Sequence, residues 1–394
     1  MTTAFNIRIR ALPILLILML LTLPKTLSTN AENQPDPDPV VALLDEYDNL
    51  IREIMDEWDL PGAAVAVVKD HRILFLKGYG VRKLGLPEQV DTHTVFRLAS
   101  VSKTFASTLT GLLVKDGLLD WDDPAIRYVP DLCLQDSAVT CGLTIRHILS
   151  HTSGLIPHAY DNLIESNIPF DRVLDQLKTV DIVGPLGSCY GYQNVLFSLV
   201  GDIAAKAAVT PYDKLLEYRL FWPLGMHDAS VGWDGLMASP NRAAPHVIRR
   251  GAWRAVKDKK AYYRMPAAAG VNASISDMSR WLLAQMGQMP HIIPDTVLSD
   301  LHTPLVRTPG EIPRYNWNGR LRNAHYGLGW RIFDWAGHCM VFHSGGVEGY
   351  LSQVGFMPEL GIGVAVLLNS RRTDDMLPAF FELLMEQDGT IVDL

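Results

Sequence analysis

The stretch TVFRLASVSKTFAS at residues 94–107 places two serines and a lysine within four positions, just ahead of an apolar helical pattern. From Phe105 that pattern puts Phe105, Leu109, Leu112 and Leu113 on one face until Gly117. A helix starting near Ser100 makes Ser100 and Lys103 neighbours, because residues three apart share a face. Ser102 is turned about 100° from Lys103 and is the weaker partner. A serine at a helix N-terminus also has its own backbone N–H unpaired and facing an incoming anion. Its hydroxyl is a weak nucleophile that needs a base. Lysine can serve when burial and a positive helix end depress its pKa. Alone, Ser-x-x-Lys is a weak signal, since an ordinary surface helix carries it too.

On the N-terminal side, VVALLDEYDNLIREIMDEW (40–58) has helical spacing and is stopped by LPG. AAVAVVK (63–69) and ILFLKGYGV (73–81) read as a hairpin around the polar turn DHR. Residues 105–320 are mostly short helices and loops rich in Pro and Gly. Strand signals return in GLGWRIFDW, CMVFHSG, YLSQVGFM and IGVAVLLN, and the amphipathic DMLPAFFELLMEQ follows. Short strands joined by tight turns favour antiparallel pairing. The expected fold is therefore α+β. One antiparallel sheet is built from both chain ends and flanked by the terminal helices, with a mostly helical lobe inserted on its other side. The sheet lobe covers about 40–98 and 325–394, and the helical lobe about 99–324. A chain of 394 residues admits two or three domains, but one domain over 40–394 fits this pattern.

Residues 1–31 differ in character. Arg8 and Arg10 precede the apolar run ALPILLILMLLTL, and the small polar STNA follows, which is the pattern of a secretory signal cleaved near Ala31. The run is shorter than the ~20 residues that span a bilayer, so no stable membrane anchor is expected. Residues 32–39, ENQPDPDP, read as a solvated leader. The chain carries a formal charge of −8. Without residues 1–31, 32 basic residues face 43 acidic ones, a charge of −11. Such a protein is a poor partner for nucleic acid or an anionic membrane surface. Export permits disulfides among Cys133, Cys141, Cys189 and Cys339. CLQDSAVTC makes a Cys133–Cys141 loop plausible, and four free thiols are equally compatible.

Two further elements give Ser100-x-x-Lys103 its context. GYQN (191–194) holds Tyr192-x-Asn194, and FHSGG (342–346) holds His343-Ser344-Gly345 at the end of an expected strand. Each has an ordinary explanation: a buried tyrosine, a helix cap before Val195, a satisfied strand histidine. Together, in this order, they resemble the motifs of the penicillin-recognising serine hydrolases. Within that superfamily the chain is most similar to class C β-lactamases and their esterase and D-amino-acid peptidase relatives. LTIRHILSHTSGL, FWPLGMHDA, AAAGVNASISDMSRWL and YGLGWR extend the resemblance over residues 42–385.

The resemblance implies a hydrolase in which Ser100 forms an acyl-enzyme, Lys103 and Tyr192 move protons, and Tyr192 activates the deacylating water. Asn194 would hold the substrate amide and Lys103. The oxyanion hole would be the N–H groups of Ser100 and Gly346, beside Ser344 and Gly345. It departs in one place: the third motif usually starts with lysine, a fixed positive charge, whereas His343 is only partly charged near neutrality. Arg371 and Arg372 could restore a carboxylate contact, but read as solvated surface charges. Leu186 and Cys189 sit where the related motif has adjacent Pro-Gly. No cofactor is expected. A zinc site at His325, His338, Cys339 and His343 is a minor alternative whose spacing fits no standard pattern. No G-x-S-x-G elbow or H-E-x-x-H is present. The expected protein is thus an exported, periplasmic β-lactamase. The alternatives are a carboxylesterase, a peptidase acting on D-amino-acid cell-wall peptides, or a penicillin-binding sensor that never turns over. The oligomeric state is not legible.

Overall fold

The computed structural model describes residues 39–315, 317–373 and 375–387. The expected signal segment and most of the leader therefore lie outside the described residues. Pro39, expected as the last leader residue, is the first residue of helix α1 (Pro39–Glu57).

Eight strands form one antiparallel sheet. They are β1 (Gly62–Lys69), β2 (Arg72–Gly80), β3 (Val306–Arg307), β4 (Leu321–Tyr326), β5 (Arg331–Trp335), β6 (His338–Val347), β7 (Tyr350–Met357) and β8 (Ile362–Leu368). Their spatial order is β2-β1-β8-β7-β6-β5-β4-β3. The join between the two chain ends is the β1–β8 pairing, in register from Ala63 opposite Leu368 to Lys69 opposite Ile362.

Period-two alternation explains why β1 is apolar throughout. Ala63, Val65 and Val67 face one core, and Ala64, Ala66 and Val68 face the other. The first core holds α1 and the last helix, α5 (Met376–Gln387). There Tyr47 packs on Phe380 at 5.0 Å, and its hydroxyl donates to the Met376 carbonyl at 2.7 Å. The second core holds α2 (Ser102–Lys115), α3 (Asn194–Ala208) and α4 (Ile275–Gln285). Phe105 of α2 stacks on Trp281 of α4 with centroids 3.8 Å apart. The layered α+β architecture is the one expected.

Two details differ. β3 and the first four residues of β4 come from residues assigned to the helical lobe. In Leu321–Tyr326 the exposed Arg322 and Asn323 break the apolar run, as suits strands near a sheet edge. GLGWRIFDW is strand only from Arg331, because Gly327–Trp330 form the turn from β4. The four cysteines are free, with Cys133 and Cys141 both exposed. Among the described residues no single helix is long and apolar enough to cross a membrane.

Candidate active site

Ser100 lies in a 3₁₀ turn, Ala99–Val101, that runs directly into α2. The helix proper begins two residues later than expected. Ala99 has φ +46°, a left-handed conformation that costs an alanine on the order of 1 kcal/mol or more. That reversal lets the chain leave the short strand Phe96–Arg97 and enter α2 with Ser100 on the wall of a cavity of about 480 Å³. Ser102 points elsewhere. It is buried, and its Oγ accepts the Val271 N–H at 2.9 Å.

Lys103 is fully buried, with Nζ 3.3 Å from Ser100 Oγ, 2.7 Å from Asn194 Oδ1 and 3.0 Å from the Ala268 carbonyl. Burial holds its pKa well below the usual lysine range. Asp161 opposes that shift and the Arg331 guanidinium adds to it. An uncharged amine has two N–H bonds and one lone pair. The Asn194 and Ala268 oxygens take the two N–H bonds, which leaves the lone pair for the Ser100 hydroxyl.

Asn194 is the first residue of α3, and no side chain caps that helix, so the capping reading fails. Its Nδ2 instead donates to Asp161 Oδ2 at 2.7 Å, and the same carboxylate oxygen bonds His158 Nδ1 at 2.9 Å. Tyr192 lies just before α3, with its ring 4.8 Å from Lys103 Nζ. Its segment is tied to His151 on both sides: Gly191 N–H donates to the His151 carbonyl, and Gln193 N–H to His151 Nδ1 at 3.1 Å. Gly191 is required, because a Cβ there would lie 2.3 Å from the Leu155 carbonyl oxygen. Burial pushes the Tyr192 phenol up to about 12, while Arg331 and contact with the Ser100 hydroxyl pull it back. The neighbouring turn accommodates the extra Leu186 by packing it, half-buried, against the core.

The third motif arrives on β6. Ser344 and Gly346 line the same cavity as Ser100, Tyr192 and Asn194. Gly345 permits the close approach of β6 to the serine turn: a Cβ there would lie 2.1 Å from the Leu98 carbonyl oxygen and 2.7 Å from Ser100 N. His343 does not face substrate as a partly charged histidine would. It is fully buried and does not line the cavity. Its Nδ1–H donates to the Ser344 carbonyl at 2.9 Å, so Nε2 accepts from the Tyr326 hydroxyl at 3.1 Å. Burial, then Arg331 and Lys103, hold its pKa well below the usual histidine range, and it is neutral.

The positive charge sits on arginines instead. Arg314, Arg331, Arg371 and Arg372 all line the cavity, against one carboxylate among the described residues, Asp161. Arg371 and Arg372 are exposed as expected, but they are part of the cavity wall. A Cβ on Gly346 would lie 3.0 Å from Arg371 Cζ. Sequence reasoning missed Arg331, Asp161 and His151. Arg331 and His151 stand inside the phrases YGLGWR and LTIRHILSHTSGL; nothing local marks Asp161.

The zinc candidates are not brought together. His325 is on β4, whereas His338, Cys339 and His343 are on β6, and β5 lies between. That intervening strand separates the two backbones by ~10 Å. His343 is spent on Tyr326 and Ser344, and among the described residues no group of three or more His, Cys, Asp or Glu side chains could hold a metal ion.

A serine, a buried lysine, a tyrosine and an asparagine converging beside the central strand β6 of such a sheet define a serine hydrolase. The chain belongs to the β-lactamase family, whose model matches residues 47–384. It is 24% identical over 357 residues to a beta-lactamase of Escherichia coli (strain K12), covering 81% of this chain and 86% of that one. It is 28% identical over 343 residues to penicillin-binding protein 4 of Amycolatopsis lactamdurans, covering 84% and 87%. It is also 23% identical over 353 residues to the unguisins hydrolase ungD' of Aspergillus campestris (strain IBT 28561). That match covers 87% of this chain, which spans 64% of the relative's length. Among solved structures, the octameric penicillin-binding protein homologue from Pyrococcus abyssi shares the fold. Its TM-score is 0.77 at 23% identity, covering 87% of this chain and 77% of that one.

Proposed function

We propose that this protein is an exported serine hydrolase of the class C type that opens β-lactam rings through an acyl-Ser100 ester. The observation that carries the reading is the buried Lys103 amine, whose Nζ lies 3.3 Å from Ser100 Oγ and is held there by Asn194 Oδ1 and the Ala268 carbonyl. In the first step Ser100 Oγ attacks the lactam carbonyl and its proton passes to Lys103 Nζ. The carbonyl oxygen becomes an oxyanion held by the N–H groups of Ser100 and Gly346, donors that can lower the barrier by a few kcal/mol each. Tyr192, protonated at neutral pH, gives its proton to the leaving nitrogen as the C–N bond breaks and regains one from Lys103. Water then cleaves the ester as the proton moves back through the same pair. Compared with the expectation from the motifs alone, the bases are divided: Lys103 takes the serine proton, and Tyr192 acts first as an acid. A substrate carboxylate would be met by Arg371 at the Gly346 side of the cavity.

A second reading has its own support. A neutral, buried His343 does not offer the fixed charge of the usual lysine, which favours an ester or a D-amino-acid peptide over a β-lactam. Turnover of a penicillin, a cephalosporin, a short-chain ester and a D-Ala-D-Ala peptide by the purified protein separates the two. Multiple turnovers of a β-lactam support the first reading. Ester or peptide turnover without β-lactam turnover overturns it. A stable adduct with no product release identifies the protein as a sensor.

A further inference from the structure

Arg331 is out of place by ordinary rules: a guanidinium with only 2% of its surface exposed, at the start of β5, in the wall of the reactive cavity. It is paired with Glu311, Nε to Oε2, at 2.9 Å, and Glu311 also lies 3.8 Å from the more exposed Arg314. The pair does not use the whole guanidinium. Nη1 is buried without a hydrogen-bond partner, and Cζ stands 5.3 Å from the Tyr315 ring, 5.6 Å from Tyr192 and 5.7 Å from Tyr326. Such a cation is held by ring faces as much as by its carboxylate. Lys103 Nζ is 4.8 Å from the Tyr192 centroid and Arg331 Cζ is 5.6 Å from it, so the two groups lie within about 10 Å of each other.

We propose that Arg331 is a positioning residue of this site: from β5 it supplies the fixed positive charge beside Tyr192 and Lys103 that the neutral His343 on β6 does not. This rests on the acyl-Ser100 reading and deepens it. A fixed cation favours the uncharged amine of Lys103, the state that accepts the serine proton, and makes the Tyr192 phenol a stronger acid toward the leaving nitrogen. At about 10 Å and the effective dielectric of a protein site, the influence on either group is on the order of one pH unit. Other charges face the same groups. Asp161 acts on Lys103 and Tyr192 from below α3, and Glu311 acts on Tyr192 from beside Arg331. His151 and His343 are neutral neighbours. Tyr190 and Tyr326 stay protonated under burial.

The test is the pH dependence of the Ser100 acylation rate, read by intact mass with a fluorophosphonate or an ester. It compares wild type, Glu311→Gln and the paired Arg331→Met/Glu311→Gln. The paired variant removes both charges at once and leaves neither stranded in the core. Measured against Glu311→Gln, its acid limb should lie at higher pH by on the order of one unit, the arginine's own contribution. Glu311→Gln alone removes only the counter-charge and should move the limb the other way. A structural defect introduced by Glu311→Gln would not be reversed by the second substitution. Limbs that coincide in the two variants, or a paired-variant limb at lower pH than that of Glu311→Gln, overturn the proposal. A wild type that is never acylated overturns the acyl-Ser100 reading instead.

Discussion

Lys103 carries the chemistry at the scale of single residues, because its buried Nζ, held by Asn194 Oδ1 and the Ala268 carbonyl, sits within hydrogen-bond reach of Ser100 Oγ. Lys103→Met should lower the acylation rate roughly 10²- to 10⁴-fold, the usual worth of a positioned base; stopped-flow acylation of a folded variant checks it, and a loss below tenfold would reassign the base. Gly345 is the complementary case. Gly345→Ala puts a Cβ against the Leu98 oxygen and Ser100 N, so labelling should collapse even where circular dichroism shows a folded chain. The spacing of Ser100 and Lys103 made both legible in the sequence. The role of His343 was not, because nothing in FHSGG says that its ring turns inward to Tyr326. Arg331 was illegible for a related reason: an arginine after a tryptophan reads as a surface charge until the fold seats it among tyrosines.

Among elements, α2 is held at its first turn by two contacts. Ser102 Oγ accepts the Val271 N–H, and Phe105 stacks on Trp281 of α4. Ser102→Ala leaves that buried N–H unsatisfied and should cost about 1–3 kcal/mol in denaturant unfolding. Trp281→Ala removes the stack and should cost about 3–5 kcal/mol. The hairpin, the last three strands and both terminal helices were legible because their apolar periods are clean. The strand Leu321–Tyr326 was not, because exposed Arg322 and Asn323 hide its alternation near the sheet edge. The 3₁₀ entry to α2 was hidden too, since an alanine at φ +46° has no sequence signature.

For the molecule as a whole, the site's electrostatics set a pH limit on stability. His151 and His343 are buried, and burial holds both well below their unfolded value near ~6.5. Below that pH the unfolded chain takes up protons that the folded chain refuses. Stability is therefore lost as pH falls through ~6.5, at up to about 1.4 kcal/mol per pH unit for each histidine. Above ~6.5 the two contribute no slope. Urea unfolding between pH 5 and 8 should show a shallower dependence in His343→Gln than in wild type, and equal slopes would contradict the buried, neutral assignment. The acidic chain concentrates arginines on one cavity, a feature that net charge conceals and only the folded molecule displays. The central claim is that Ser100 is the acylated residue, and intact-mass analysis of wild type, Ser100→Ala and Ser102→Ala after exposure to a penicillin and a fluorophosphonate tests it most directly. One adduct per chain on wild type and Ser102→Ala, and none on Ser100→Ala, is the result expected; an adduct that survives in Ser100→Ala would contradict the account.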